Sequence, residues 1–375
     1  MRLLHVVPTY LPATRYGGPI HSVHGLCKAL VLQGHEVHVF TSSLDGAERS
    51  PVPEGVPVDL DGVKVWYFRC RWMAICWLPG MVAPLKQLIT GFDCIHLHSV
   101  FLWPMAEVAR MARKHRIPYV LSPRGMLVPE LIAGRSAWAK RIWITLIEVR
   151  NLRGAVAIHV TSLTEAKDLQ RSGLDLAPLA EISNGVDLHD SVVRKPLDKS
   201  LLFLGRLSWK KNLSALIEAV ATLSGSRLTL AGPDDEGIAP DLLNRALMLG
   251  CGERVRWIGA VGAAEKSRLF GENSCLVLPS INENFGNVVI EAMAHACPVV
   301  VSPGVGARTV VDASGAGMVA SAATGAALAD AIARLLADPE NAAECGRRGR
   351  NYVREHLTWA GIANRMTDLY RAHAR

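Results

Sequence analysis

The sequence predicts an α/β protein built from two parallel-sheet domains in succession. Three observations carry that expectation. Apolar strands alternate with helical stretches through the first half, a polar stretch at 187–200 interrupts them, and the alternation then begins again. Strands that are apolar throughout, rather than at every second position, belong to parallel sheets covered on both faces. The length of 375 residues exceeds one ordinary core and suits two domains of moderate size.

Composition narrows the class. Half the residues are hydrophobic and a fifth are charged, which excludes a disordered chain. No apolar run reaches the ~18 residues of a membrane-spanning helix. At the N-terminus, His5 and Pro8 interrupt the apolar residues before a signal-peptide core can form, so this segment is expected to be a buried first strand. The eight cysteines are scattered, with no C-x-x-C pair and no zinc spacing, which fits reduced thiols in a cytoplasmic protein. A net charge of +7 favours anionic partners without choosing among nucleic acid, acidic lipid and phosphorylated substrate.

In order, a strand at 3–7 leads through a glycine-containing loop to a helix at about 20–33. Gly34 then stands where a helix end needs a residue tolerant of positive φ. Strands follow at 36–41, 93–98, 119–122, 157–160 and 180–183, and Ser162 with Glu165 forms a capping box for the helix between the last two. Beyond the polar stretch come strands at 200–205, 227–231, 255–258, 274–278 and 298–302. Helices are expected near 213–223 and 241–249, from about 287, and at 359–374. The domains expected are 1–190, with 358–375 packing back on it, and 191–357, facing across a cleft at the carboxyl ends of their strands.

The strongest chemical signal lies in the second half. Glu283 and Glu291 are eight positions apart in the run Glu283-Asn284-Phe285-Gly286-Asn287-Val288-Val289-Ile290-Glu291. With a helix starting near Gly286 or Asn287, its N-terminal N–H groups form an anion site flanked by a loop carboxylate and one just over a turn inside. A nucleotide sugar needs phosphate on a helix end, one carboxylate for a ribose diol and another for sugar hydroxyls. A capped helix with two solvent-facing acids is the plainer alternative. Upstream, Phe203-Leu204-Gly205-Arg206-Leu207-Ser208-Trp209-Lys210-Lys211-Asn212 puts Arg206 and Lys211 after a strand, where they suit a diphosphate as ligand and leaving group.

Together these motifs resemble the retaining, group 1 (family 4) glycosyltransferases of the GT-B fold, two Rossmann-like domains. The likeness extends to Tyr16-Gly17-Gly18-Pro19, Asp93-Cys94-Ile95-His96-Leu97-His98-Ser99 and Asn184-Gly185-Val186-Asp187. It implies transfer of a hexose-type sugar from a nucleotide diphosphate sugar to a glycan or polyprenyl-diphosphate-linked acceptor, in cell-surface polysaccharide synthesis. By position, Arg206 and Lys211 would hold the pyrophosphate, Glu291 the ribose and Glu283 the donor sugar near the reacting centre. Asn184, Asn284, Phe285, Gly286 and Asn287 complete the implied donor site. Backbone near Gly232 and Ile258 would meet the base, UDP or GDP being the expected carrier. Gly17 and Gly18 would allow close approach of phosphate or acceptor, unless they are only a flexible loop.

Three departures from the family pattern stand out. Arg124 occupies the place of a histidine common in relatives, and cannot serve as a base. Asn212 and Asn284 replace glycines. His98 is a candidate for the acceptor site, with a structural histidine as the alternative. No metal is implied, because cations and a helix end already neutralise phosphate. No cofactor is expected beyond the nucleotide sugar as co-substrate, and no nucleic-acid partner.

Residues 135–153 carry five basic residues and one acid, with Trp138 and Trp143 among them, and Arg69, Arg71, Trp72 and Trp77 cluster upstream. Such a segment fits peripheral contact with an anionic membrane at the cytoplasmic face. A core helix with a solvated basic rim is the alternative. A dehydrogenase is disfavoured, since the first loop lacks G-x-G-x-x-G. A nucleotide-sugar epimerase of the same fold and a non-catalytic sugar-nucleotide-binding subunit remain as rivals.

Overall fold

The computed structural model describes residues 1–13, 15, 17–128, 132, 137–188, 194–196 and 198–374. Tyr16, Arg135, Ser136 and part of the polar stretch lie outside the described residues. The chain divides into two compact units, Met1–Gly185 with Trp359–Arg375, and Val186–Thr358.

Unit 1 contains β1 (Arg2–Val6), β2 (Glu36–Ser42), a small pair β3 (Leu44–Asp45) and β4 (Glu48–Arg49), β5 (Pro57–Leu60), β6 (Val63–Phe68), β7 (Cys94–His98), β8 (Tyr119–Ser122), β9 (Ala157–Val160) and β10 (Leu179–Glu181). Its main sheet runs β10-β9-β8-β7-β1-β2-β6-β5, parallel except for β5 against β6. The reason is legible in the residues: β1, β7, β8 and β9 offer Leu4, Val6, Ile95, Leu97, Leu121, Ile158 and Val160 to one core, all fully buried. Each such side chain contributes about 1.5–3 kcal/mol on leaving water.

Unit 2 contains β11 (Ser200–Leu204), β12 (Arg227–Ala231), β13 (Val255–Trp257), β14 (Cys275–Leu278), β15 (Val299–Val301) and β16 (Gly317–Val319), in the order β13-β12-β11-β14-β15-β16. Every pairing in this sheet is parallel. The chain winds outward from β11 in one direction and from β14 in the other. Their carboxyl ends therefore open a crevice at the switch point, the place where ligands bind in open α/β sheets. In unit 1 the same reversal falls between β1 and β7.

The helix Trp359–Arg371 belongs to unit 1, and glycines make room for it. A Cβ on Gly25 would lie 2.4 Å from the Trp359 ring, and one on Gly185 would lie 2.6 Å from it. Further along, His35 Nε2 meets Thr367 Oγ1 at 3.1 Å and the Tyr370 hydroxyl meets His96 Nδ1 at 2.6 Å. The helix Gly18–Leu32 ends as the sequence predicts, with Gly34 at φ 84°. Ser162 caps the following helix, its Oγ accepting from the Glu165 N–H at 3.1 Å, while the Glu165 carboxylate reaches back to the Thr161 N–H at 2.8 Å.

The edge pair β5 and β6 was not expected. It puts Trp66 inside the sheet, where its Nε1–H donates to His38 Nδ1 at 3.2 Å. Among the described residues no helix is long and apolar enough to cross a membrane.

Candidate functional site

At the switch point of unit 2, two loops meet. The loop after β11 begins at Gly205, and close backbone approach fixes its path: a Cβ on Gly232 would lie 2.0 Å from the Gly205 carbonyl oxygen. Leu207 N–H donates to the Pro233 carbonyl at 2.9 Å, and a short 3₁₀ turn, Trp209–Lys211, carries the chain to Asn212. Asn212 adopts the left-handed conformation, φ 54°, so asparagine here does the backbone work of a glycine. Its amide donates to the Ala323 carbonyl at 2.8 Å.

The loop after β14 is pinned from the other side. Glu283 N–H donates to the Gly304 carbonyl and the Gly306 N–H to the Glu283 carbonyl, each at 2.9 Å. Gly286, φ 94°, then starts the helix Asn287–Ala294 with no side-chain cap. Phe285, just before it, is buried. Asn284, unlike Asn212, does not use positive φ. The two loops are joined across the switch point by an ion pair, Lys211 Nζ to Glu283 Oε2, both side chains mostly buried. A second pair, Lys266 Nζ to Glu291 Oε2 at 2.6 Å, lies one turn into the helix, and Arg206 Nε reaches Asp235 at 3.3 Å.

These are the ingredients of a diphosphate and sugar site: cations on one loop, a carboxylate on the other, and a helix N-terminus without a side-chain cap. A family model described as "Glycosyl transferases group 1" matches residues 187–352, and one described as "Glycosyl transferase 4-like domain" matches residues 17–185. The chain belongs to the group 1 glycosyltransferases. It is 28% identical to a glycogen synthase of Mycobacterium tuberculosis, covering 100% of this chain and 95% of the other. It is 26% identical to a GDP-mannose:cellobiosyl-diphosphopolyprenol alpha-mannosyltransferase of Komagataeibacter xylinus, covering 99% and 93%. Among solved structures, Anabaena Alr3699/HepE in complex with UDP and glucose matches with a TM-score of 0.77 at 18% identity, over 99% of this chain and 100% of that one. The fold is thus GT-B, with two Rossmann-like parallel-sheet units.

In unit 1 the glycosyltransferase concentrates polar residues within its core. His98 ends β7 and Arg124 follows β8. Arg124 donates to His98 Nδ1 at 3.0 Å and to Asn184 Oδ1 at 3.4 Å, and His98 Nε2 meets His5 Nδ1 at 3.0 Å. The rings of His96 and His98 stack with centroids 4.0 Å apart. Burial, aided by the nearby Arg124 charge, pushes His5 down to about 3. His159 is also pushed down to about 3, by burial and then the same charge. His96 and His98 are held well below the usual range, mainly by burial.

The neutral tautomers follow from one fixed end. His159 Nε2 faces the Ile182 carbonyl at 2.8 Å and must donate to it. His159 Nδ1 then accepts from Ser122 Oγ at 2.8 Å, Ser122 accepts from His96 Nε2 at 2.7 Å, and His96 Nδ1 accepts from the Tyr370 hydroxyl. His98 is therefore a buried member of a histidine network rather than a histidine bonded to backbone. Gly17, φ 70°, precedes the helix Gly18–Leu32 without side-chain capping.

Residues at the expected base site are placed by backbone. Gly232 N–H donates to the Gly259 carbonyl at 2.7 Å, Ile258 N–H to the Leu230 carbonyl, and Trp257 Nε1 to the Gly232 carbonyl at 2.9 Å. Sequence reasoning missed Lys266, whose partner is 25 positions away, and the network formed by His5, Ser122, His159 and Tyr370. A signal for the latter was present, since His5, His96, His98 and His159 each interrupt a strand that is otherwise apolar.

Proposed function

We propose that this glycosyltransferase moves a hexose from UDP or GDP onto a polyprenyl-diphosphate-linked or glycan acceptor, with retention at the anomeric carbon and without a metal ion. The Lys211–Glu283 pair at the switch point of unit 2 carries the reading. When donor binds, Lys211 and Arg206 take the diphosphate as counter-charge, and Glu283 is freed to accept from sugar hydroxyls. Glu291 meets the ribose, with Lys266 holding its carboxylate in place. As the bond from anomeric carbon to phosphate oxygen breaks, the diphosphate keeps the electron pair, and these cations with the helix end at Gly286 stabilise it. The acceptor oxygen bonds to the same carbon from the leaving-group face, and its proton passes to the departing phosphate. No protein nucleophile enters, in keeping with retention.

Unit 2 would hold the donor and unit 1 the acceptor. Support for UDP comes from the HepE complex, and support for GDP and a lipid-linked acceptor from the mannosyltransferase relative. The test is thermal stabilisation by UDP, GDP and ADP. A true carrier at 100 times its dissociation constant should add ~2.7 kcal/mol. A clear shift with one nucleotide is expected; no shift with any would overturn the donor-site reading.

We also propose peripheral contact with an anionic membrane through unit 1, at the cytoplasmic face. Trp138, Ile142 and Leu146, on successive turns, are 73%, 51% and 63% exposed beside Lys140 and Arg141, and Trp72 and Trp77 project from a separate small hairpin. Trp143 does not share that face: its Nε1–H turns to the buried Glu148 at 2.8 Å. An apolar stripe beside cations suits a lipid surface of opposite charge. Co-sedimentation with anionic vesicles should be strong at low salt and fall in Trp138→Glu. Equal recovery of that variant would remove this proposal.

A further inference from the structure

Arg124 is a cation with no counter-charge. Its two hydrogen-bond partners, His98 and Asn184, are neutral, and no ion pair joins it to an acid among the described residues. The acid whose field reaches it, Glu165, spends its carboxylate on the Gly125 N–H at 2.8 Å, the Thr161 N–H at 2.8 Å and the Thr161 hydroxyl at 3.0 Å. Arg124 Nε is sealed from solvent without a partner. Of five N–H donors, two are spent and one is stranded, which leaves two on a residue still partly open to solvent. Taking a cation out of water without an opposite charge is costly, so the arrangement calls for an anion.

The backbone points the same way. Arg124 has φ 56°, and after β7 Ser99 and Phe101 have φ 94° and 64°. Left-handed geometry at residues with side chains is strained, and such strain gathers at ligand clamps. All three residues follow the carboxyl ends of β7 and β8, where α/β sheets bind their ligands. His98 acts as a prop. Its Nδ1 can accept from Arg124 only while the proton sits on Nε2, and His5 Nδ1, 3.0 Å away, accepts that proton's hydrogen bond.

We infer that Arg124 is the receptor for a phosphate group carried by the acceptor. This rests on the reading above that unit 1 takes the acceptor, and it adds the charge that acceptor must carry and the residue that reads it. The guanidinium fork matches two phosphate oxygens and so orients the acceptor as well as holding it.

The test uses the full chain with Arg206→Ala and Lys211→Ala, which removes the phosphate cations of unit 2. Titration calorimetry with inorganic pyrophosphate should still show binding. Adding Arg124→Met should weaken it at least ~10-fold, and Arg124→Lys, which keeps the charge but not the fork, should lie between. The Lys variant also keeps the question answerable if the Met variant does not fold. Farnesyl diphosphate and glucose 1-phosphate, as competitors, separate a lipid-linked source from a soluble sugar phosphate. Displacement by either supports the inference, and displacement by neither overturns it. Unchanged pyrophosphate affinity in both Arg124 variants also overturns it. So does an equal loss of nucleotide stabilisation in Arg124→Met alone, which would give the charge to the donor. If no nucleotide stabilises the unaltered chain, it is the donor-site reading that fails, independently of the pyrophosphate result.

Discussion

Lys211→Ala is expected to lower the rate of sugar transfer by ~10²–10³-fold, because one preorganised charge partner of a leaving group commonly accounts for that much. Lys211 is held in place by its backbone. The left-handed Asn212 turns the chain and the Lys211 N–H donates to the Ser208 carbonyl at 3.0 Å, so the ammonium is delivered to the switch point whether it pairs with Glu283 or with phosphate. Holding the ammonium in place beforehand means little reorganisation is needed as negative charge develops. The loss should therefore fall mainly on kcat in single-turnover measurements with saturating nucleotide sugar. Near-normal turnover would refute the phosphate role. A rise in KM alone would make Lys211 a binding residue that does nothing more in the transition state. Folding is a separate control: Glu283 keeps its backbone bonds to Gly304 and Gly306 in the variant, so the loop's path should survive.

The strand–helix order was legible because parallel strands buried on both faces write themselves as apolar runs, as at Cys94–His98 and Cys275–Leu278. The Glu283 loop and the helix from Asn287 were legible for the same local reasons, a strand end followed by a glycine and a helical run. The hairpin β5–β6 also left a signal, Asp61-Gly62, with φ 54° and 80°, between alternating residues. It is obscured by the basic and aromatic cluster that follows it, Arg69, Arg71, Trp72 and Trp77. Lys266 left no local mark, because its role depends on a partner brought to it by tertiary packing. Arg124 could be noticed as an unusual residue. That its two hydrogen-bond partners are an uncharged imidazole and an amide could not be read from spacing, since His98 comes from β7 and Asn184 from the segment after β10.

That network should also make unit 1 sensitive to acid. His5 and His159 are held at about 3 in the folded chain, and His96 and His98 are also well below 6.5. In the unfolded chain all four would titrate near 6.5. Above pH 6.5 both states are neutral at these positions and nothing is lost. Below it, the unfolded chain binds protons that the folded one refuses, so stability falls as pH drops from 6.5 towards 3. Each such histidine contributes a slope of up to ~1.4 kcal/mol per pH unit, so four together can exceed ~5 kcal/mol per unit. A domain with ~5–15 kcal/mol of stability would be offset within two or three units. Unit 1 should therefore unfold cooperatively between about pH 6 and 4, these four histidines alone contributing up to about four protons to the uptake. Tryptophan fluorescence against pH, combined with denaturant titrations, measures both. His5→Gln, which keeps an acceptor for His98 Nε2 but removes one titrating ring, should reduce the uptake by about one. If stability stayed flat from pH 6.5 to 4, the buried imidazoles would have to carry protons in the folded state. The directed chain from Tyr370 to Ile182 would then be wrong, because a doubly protonated His159 has no lone pair with which to accept from Ser122.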